Sequence, residues 1–137
     1  MNTILVVDDE PTNLETVSLL LRLQGYEVLK AADGKEATEI SKRHHRPIQL
    51  LVADLALRTV SGTDVAMELV ESWPEMAVLF MSGTPLNAWE ARDRYIFDSL
   101  QPNAVDFLEK PFVPRALTEK VCRLIQRASS GGSVGDC

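Results

Sequence analysis

Short, continuous runs of apolar residues recur along this chain, and they restrict its fold more than any other feature. The clearest are Thr3–Val7 (TILVV), Gln49–Asp54 (QLLVAD) and Ala77–Met81 (AVLFM). Runs of this length are too short for buried helices, and they indicate strands that are buried on both faces of a sheet. Glu27–Ala31 and Val105–Glu109 are predicted to be two further strands.

The stretches between these strands have helical character. Pro11 suits the first turn of a helix, and Gly25 suits the residue beyond its end. Asp33, followed by Glu36 three residues later, matches a helix capping box. The spacing of apolar residues predicts three more helices: one ending near Ser72, one from about Asn87 to Leu100 and one from about Pro114 to Ala128.

The alternation of strands and helices defines the fold class. It predicts an α/β fold with a single doubly wound, five-stranded parallel sheet and helices on both faces. The 137 residues suffice for one domain, which we place at residues 1–128. Ser129–Cys137 (SSGGSVGDC) is predicted to be a flexible Gly/Ser-rich tail.

Charge and hydropathy argue against several classes of function. The formal net charge of −6 argues against nucleic-acid binding, which favours a basic surface. The chain shows neither a long apolar run nor a signal-peptide pattern, so we expect no membrane association and a cytoplasmic location. Nucleotide binding is not expected either, because the sequence contains no glycine-rich dinucleotide motif and no P-loop.

Reactive side chains follow four of the predicted strands. Asp8 and Asp9 come directly after the first strand, Asp54 ends the third, Ser82 follows the fourth and Lys110 follows the fifth. Right-handed crossovers bring the carboxyl ends of parallel strands to one edge of the sheet, where α/β proteins bind their ligands. We therefore expect these side chains to meet at that edge.

The charges at this edge favour a bound cation. The carboxylates of Asp8, Asp9 and Asp54 outnumber the single ammonium group of Lys110 by two. Close carboxylates repel each other unless a cation lies between them, and an all-oxygen ligand set favours Mg²⁺. A metal, a lysine and a hydroxyl group can stabilise a transferring phosphoryl group, which a carboxylate can accept as an aspartyl phosphate.

One combination of residues, most of them at strand ends, resembles a known family. It consists of the acidic pair Asp8-Asp9 after two valines, the lone Asp54, Ser82, Phe107 and the pair Lys110-Pro111. Together they resemble the receiver domain of two-component response regulators, over about Thr3–Ala128, which implies the flavodoxin-like (βα)5 receiver fold. The stretches VLFMSG and DFLEKPF look most like receivers attached to hybrid sensor histidine kinases.

The resemblance implies roles in phosphoryl transfer. Asp54 would be the phosphoacceptor for a phosphorylated histidine of the partner. Asp9 and Asp54 would bind Mg²⁺ directly, together with the backbone carbonyl of Ala56, and Asp8 would bind it through water. Lys110 would contact the phosphoryl oxygens and hold Asp54 before transfer. The domain would thus catalyse its own phosphorylation and dephosphorylation rather than act as a classical enzyme.

The resemblance also implies a switch. Ser82 would hydrogen-bond the phosphate, and Phe107 would turn inward as Ser82 moves, changing the surface formed by the fourth helix, the fifth strand and the fifth helix. The Lys110–Pro111 peptide bond would be cis, a geometry confined almost entirely to proline.

The implied partner is a sensor histidine kinase or a phosphotransfer domain, and the downstream protein partner is unknown. The domain would be a monomer or a weak dimer. It would be either a stand-alone regulator or the receiver segment of a hybrid histidine kinase, and the sequence leaves both open.

The loop after Asp54 departs from the family pattern at two positions. The family commonly has proline where this chain has Arg58, and Asp or Asn where it has Ser61, whereas Gly62 is kept. Loss of the proline leaves the loop less restricted. We interpret Arg58 as a solvated surface side chain.

The segment between the fourth and fifth strands is rich in large apolar side chains. It carries Trp89, Tyr95, Ile96 and Phe97. We expect these residues to belong to the core rather than to a docking surface.

Two other functions deserve comparison. A receiver-like module that binds its partner independently of phosphorylation would use the fold only as a docking surface, and the presence of every receiver site residue argues against it. A hydrolase of the aspartyl-phosphate type generally places its nucleophile after the first strand in a D-x-D pattern. Here the first strand is followed by DDEP, which lacks the second Asp at that spacing.

Overall fold

Five parallel strands form the central sheet. They are β1 Thr3–Val7, β2 Glu27–Ala31, β3 Leu50–Asp54, β4 Ala77–Ser82 and β5 Val105–Glu109. Their order across the sheet is β2-β1-β3-β4-β5, and every pair of neighbours is parallel. The computed structural model describes residues 1–128, so the tail predicted at 129–137 lies outside the described residues.

Helices cover both faces of this sheet. They are α1 Pro11–Leu23, α2 Gly34–Arg43, α3 Gly62–Ser72, α4 Ala91–Ser99 and α5 Pro114–Ala128. Over residues 1–128, none of the helices is long and apolar enough to cross a lipid bilayer. The predicted doubly wound α/β fold is confirmed.

Side chains alternate between the two faces along each strand. In β1, Ile4 and Val6 pack on the side of α1 and α5, whereas Leu5 and Val7 pack on the side of α2 and α3. All four side chains are fully buried. Burial on both faces explains why the strands appear in the sequence as continuous apolar runs.

The predicted helix ends are largely confirmed. Gly25 follows α1 with φ of 96°, a left-handed conformation that glycine adopts without strain. Asp33 caps α2, since its Oδ1 accepts a hydrogen bond from the backbone N–H of Glu36 at 2.7 Å. The returning Glu36 carboxylate accepts from the N–H of Ala32 rather than from that of Asp33, so the predicted capping box is shifted by one residue.

The helix predicted over 87–100 is wrong in its first turn. A 3₁₀ turn at Leu86–Ala88 is followed by two extended residues, Trp89 and Glu90, and α4 begins only at Ala91. Trp89 turns its indole ring into the core, where only 8% of the residue is exposed. This tertiary contact interrupts a stretch that the local sequence would allow to be helical.

The expectation of a buried aromatic segment holds for most of its members. Trp89 and Ile96 are buried, and Phe97 is half-buried against the core. Tyr95 was expected in the core as well, but it is 75% exposed because it lies on the outer side of α4. The rings of Trp89, Phe97, Phe80 and Phe107 form a cluster with centroid separations between 5.4 and 6.2 Å.

Candidate functional site

Three carboxylates meet at the carboxyl edge of the sheet. Asp8 and Asp9 follow β1, and Asp54 is the last residue of the adjacent strand β3. One oxygen of each lies within 4.8 Å of the others. Parallel pairing of β1 and β3 places these residues side by side, so the grouping expected from the sequence is present.

Asp8 is the most deeply buried of the three. Its Oδ1 accepts a hydrogen bond from the backbone N–H of Glu10 at 2.9 Å. Its Oδ2 is buried and has no hydrogen-bond partner among the described residues, with Lys110 Nζ at 3.9 Å. Burial raises the pKa of the Asp8 carboxyl above its usual value. An unpaired oxygen of this kind is a suitable cation ligand.

Asp54 is held from two sides. Its Oδ1 accepts the backbone N–H of Ala56 at 3.1 Å, and its Oδ2 accepts from Lys110 Nζ at 2.9 Å. Lys110 reaches the site from the end of β5, where its own N–H donates to the carbonyl of Ser82 at 2.7 Å. The Lys110–Pro111 peptide bond is cis.

Asp9 has a partner that the sequence did not reveal. The backbone N–H of Arg58 donates to Asp9 Oδ2 at 2.9 Å, and Arg58 Nε lies 3.6 Å from the same oxygen. The Arg58 side chain is 82% exposed, as expected for a solvated arginine, yet it also contacts the site. Arg58 therefore connects the loop after Asp54 to Asp9 of the acidic pair.

Ser82 and Phe107 contact residues other than the three carboxylates in this structure. The Ser82 hydroxyl donates to the carbonyl of Thr84 at 2.8 Å and accepts the N–H of Thr84 at 3.0 Å. Phe107 is half-buried in the aromatic cluster, with Lys120 Nζ 5.4 Å from its ring centroid. The structure thus brings Asp8, Asp9, Asp54 and Lys110 together, whereas Ser82 bonds to the following loop.

The loop after Asp54 is closed by Ser61 and Gly62. Gly62 donates its N–H to the carbonyl of Leu55 at 2.9 Å. A Cβ at Gly62 would overlap the carbonyl oxygen of Asp54, so only glycine fits there. Ser61 caps α3 in a capping box with Asp64, which is the function that Asp or Asn would also perform.

A polar cluster that the sequence did not predict joins this loop to α4. The carboxylate of Asp93 accepts hydrogen bonds from the hydroxyls of Ser61 at 2.7 Å and Thr63 at 2.6 Å. The neighbouring Arg92 forms an ion pair with Asp64. No local sequence pattern indicates these contacts, because they join residues about thirty positions apart.

The donor set fits a hard divalent cation. Asp8, Asp9 and Asp54 offer carboxylate oxygens, and the described residues contribute no Cys or His to the group. Oxygen ligands suit Mg²⁺ rather than zinc or copper. The acidic cluster and the unpaired Oδ2 of Asp8 are the structural features that fit the metal.

Fold and site together define a class of protein. The strand order is the flavodoxin-like one, and the polar side chains lie at the carboxyl edge of the sheet near its topological switch point. The chain matches the family model of the response regulator receiver domain over residues 4–122. It therefore belongs to that family, the receiver domains of two-component signalling, which generally bind Mg²⁺ and interact with histidine kinases.

Curated relatives are longer proteins. The chain is 34% identical over 130 residues to the probable transcriptional regulator ycf27 of Porphyridium aerugineum, an alignment that covers 95% of this chain and 50% of that protein. It is 31% identical over 133 residues to the aerobic respiration control protein ArcA of Escherichia coli K12, covering 97% and 52%. The chain thus spans about half the length of these relatives.

Solved structures agree with the fold. A CheY-like receiver domain protein from Methanospirillum hungatei superposes with a TM-score of 0.82 at 23% identity, covering 96% of this chain and 99% of that one, and supports the fold alone. The receiver domain of the hybrid histidine kinase CckA has a TM-score of 0.74 at 31% identity, covering 91% and 100%. The response regulator TrrA of Thermotoga maritima, solved in complex with Mg²⁺-BeF, has a TM-score of 0.73 at 27% identity, covering 90% and 99%.

Proposed function

We propose that this domain accepts a phosphoryl group on Asp54 from a phosphorylated histidine of a sensor histidine kinase or a phosphotransfer domain. The observation that carries the proposal is the pairing of Asp54 Oδ2 with Lys110 Nζ at 2.9 Å, beside the carboxylates of Asp8 and Asp9. A nucleophilic carboxylate, an ammonium group and a cation site are the parts that phosphoryl transfer needs.

In the reaction, a carboxylate oxygen of Asp54 attacks the phosphorus atom. The new O–P bond forms as the N–P bond to the donor histidine breaks, and the electron pair of that bond stays on the imidazole nitrogen. Lys110 moves from the carboxylate to the incoming phosphoryl oxygens and offsets their charge. The N–H of Ala56 keeps Asp54 oriented through the other carboxylate oxygen.

Asp8, Asp9 and Asp54, with the backbone carbonyl of Ala56, would hold Mg²⁺ at the site. Support comes from the clustered carboxylates, from the unpaired Oδ2 of Asp8 and from the Mg²⁺-BeF complex of TrrA. When bound, the metal neutralises charge on the phosphoryl oxygens.

The phosphorylated domain signals through a change of surface. A phosphoryl group adds about −1.5 to −2 charge and three acceptor oxygens. We propose that the Ser82 hydroxyl turns from Thr84 to these oxygens and that Phe107 moves further into the core. Changes at β5, which carries Phe107, then alter the surface formed by α4, β5 and α5.

We further propose that residues 1–128 form the receiver domain of a cytoplasmic protein and that this domain is a monomer or a weak dimer. It works either as a stand-alone regulator or within a larger protein. The relatives named above provide examples of the second setting, since they include longer transcriptional regulators and the receiver of the hybrid kinase CckA.

Incubation with acetyl phosphate and Mg²⁺ tests the proposal by intact-mass spectrometry. We expect wild type to gain the mass of one phosphoryl group and Asp54→Asn to gain none. Asp98→Asn, at an exposed position of α4, serves as the matched control and should behave like wild type. An equal gain in Asp54→Asn would reject Asp54 as the acceptor, and partner binding unaffected by that substitution would favour the phosphorylation-independent module.

A further inference from the structure

Trp89 lies between the loop after β4 and the switch residue Phe107. Its indole ring packs edge-on against Phe80, Phe97 and Phe107, with centroids 5.9, 5.4 and 6.0 Å away. Its Nε1–H donates to the backbone carbonyl of Thr84 at 3.3 Å. The Trp89 side chain therefore contacts both the backbone carbonyl of Thr84 and the aromatic cluster.

The carbonyl of Thr84 is shared. It accepts one hydrogen bond from Trp89 Nε1 and a second from the Ser82 hydroxyl at 2.8 Å. A serine hydroxyl has a single hydrogen to donate. When Ser82 donates to a phosphoryl oxygen, it must therefore release the Thr84 carbonyl, which then keeps only the indole N–H among its two present donors.

We propose that Trp89 is a positioning residue for the phosphorylation site. It holds the Thr84 carbonyl in place after the Ser82 hydroxyl has left, and so lowers the free-energy cost of recruiting Ser82 to the phosphoryl group. A carbonyl that loses one of two donors remains satisfied, whereas one that loses its last protein donor must recruit water. The inference rests on the proposed function of Asp54 and Ser82.

The same indole ring gives the site a second connection to Phe107. Because the ring contacts Phe107 and Phe97 directly, a shift of the Thr84 loop is transmitted through Trp89 to the cluster. Interiors packed in this way respond to a displaced side chain by repacking its neighbours. Trp89 thus couples the hydroxyl of Ser82 to the aromatic residue proposed to switch.

A double-mutant cycle tests the assignment. Beryllium fluoride with Mg²⁺ serves as the phosphoryl analogue, and its affinity is measured by ¹⁹F NMR. Trp89→Phe keeps an aromatic ring but removes the N–H, and we expect about three- to tenfold weaker binding. In a Ser82→Ala background the Thr84 carbonyl has no hydroxyl to lose, so the same change should alter the affinity less than about twofold.

One control variant separates the hydrogen bond from packing, and a second variant allows the fluorescence of Trp89 to be read alone. Phe97→Leu weakens the ring contacts of Trp89 but leaves its N–H, so it should lower the affinity clearly less than Trp89→Phe does. Trp73, the other tryptophan of the chain, lies at the opposite edge of the sheet beside Gln49 and Met76. In Trp73→Phe, all tryptophan fluorescence comes from Trp89. We expect this fluorescence to change when the analogue is added. In Trp73→Phe combined with Ser82→Ala, we expect no such change.

The outcomes distinguish this inference from the proposed function. No bound fluoride signal with wild type would count against the phosphorylation site itself. Bound fluoride together with an equal effect of Trp89→Phe in both backgrounds would overturn the role of Trp89 alone. Bound fluoride with unchanged Trp89 fluorescence, or an effect of Phe97→Leu as large as that of Trp89→Phe, would also overturn it.

Discussion

At the scale of single residues, Lys110 organises the charges of the site. Its Nζ lies 2.9 Å from Asp54 Oδ2 and 3.9 Å from Asp8 Oδ2. One ammonium group cannot neutralise these two carboxylates and Asp9 as well. Burial is the main cause of the raised pKa of Asp8, and the negative charge of Asp54 raises it further. A bound cation would offset the remaining negative charge.

Replacement of Asp8 by Asn tests this view of the cation site. Because burial raises the pKa of Asp8, its ionised form destabilises the metal-free fold. We expect Asp8→Asn to unfold at a higher temperature than wild type without Mg²⁺. Saturating Mg²⁺ should raise the Tm of wild type by about 3–6 °C and that of Asp8→Asn by much less.

Thermal unfolding with and without Mg²⁺ measures both effects. Asp33→Asn, at the cap of α2, is the control, and it should keep the full response to Mg²⁺. An Asp8→Asn protein that gains as much from Mg²⁺ as the control would show that Asp8 takes no part in metal binding.

Gly62 allows a second test at this scale. Its missing side chain lets the α3 turn approach the carbonyl of Asp54, where a methyl group would overlap. Gly62→Ala should lower the free energy of unfolding by about 1–3 kcal/mol and reduce phosphorylation of Asp54. Gly83→Ala is the matched control, since a Cβ there meets nothing within 4 Å and should change stability by less than about 0.5 kcal/mol. Equal urea midpoints for the two variants would argue against the steric account.

At the scale of secondary-structure elements, polar contacts of Asp93 and Arg92 connect α4 to the start of α3. Asp93 accepts hydrogen bonds from Ser61 and Thr63, and Arg92 pairs with Asp64. The pKa of Asp64 is lowered, chiefly by its hydrogen bond with Arg92. These contacts hold the loop after Asp54 against the helix that borders the proposed switch surface.

Asp93→Ala should separate the two helices. The substitution removes the shortest hydrogen bonds of the Ser61 and Thr63 hydroxyls and leaves Ser61 with a longer one to the Leu55 carbonyl at 3.3 Å. We expect the free energy of unfolding to fall by about 1–3 kcal/mol. Asp98→Ala removes an exposed pair with Arg94 on the same helix and should cost less than about 0.5 kcal/mol. Chemical denaturation measures both values, and hydrogen exchange should show faster opening of α4 only in Asp93→Ala. Matching values for the two variants would contradict the account.

The sequence predicted most elements because their signals are local. The runs of β1, β2 and β5 and the ends of α1 follow from apolar patterning and from Pro11 and Gly25. The start of α4 could not be predicted in this way. It depends on Trp89 entering the core, which is a tertiary contact.

The contacts of the site also fall into those that the sequence predicts and those that depend on tertiary structure. Parallel topology alone placed Asp8, Asp9, Asp54 and Lys110 at one edge, and the structure brings them together. The contact of Arg58 with Asp9 and the bonds of Asp93 depend on how loops fold over that edge, which spacing in the sequence does not reveal. Ser82 was placed at the correct strand end, but its bond to Thr84 required the structure.

At the scale of the whole molecule, stability and chemistry depend on different parts of the sheet. Its two faces are buried by helices, and its carboxyl edge collects the charged residues. The full chain carries a formal net charge of −6, and phosphorylation would add more negative charge, which Lys110 and a bound cation would balance locally. A strong local field of this kind can shift a packed, two-state surface.

The central claim is that Asp54 forms the acyl phosphate, and mapping the modified residue tests it most directly. Borohydride reduces an aspartyl phosphate to homoserine, which peptide mass spectrometry locates after treatment with acetyl phosphate and Mg²⁺. We expect homoserine at position 54, dependent on Mg²⁺ and absent without the phosphodonor. Homoserine at position 8 or 9, or none at any position while the protein is folded and binds Mg²⁺, would contradict it.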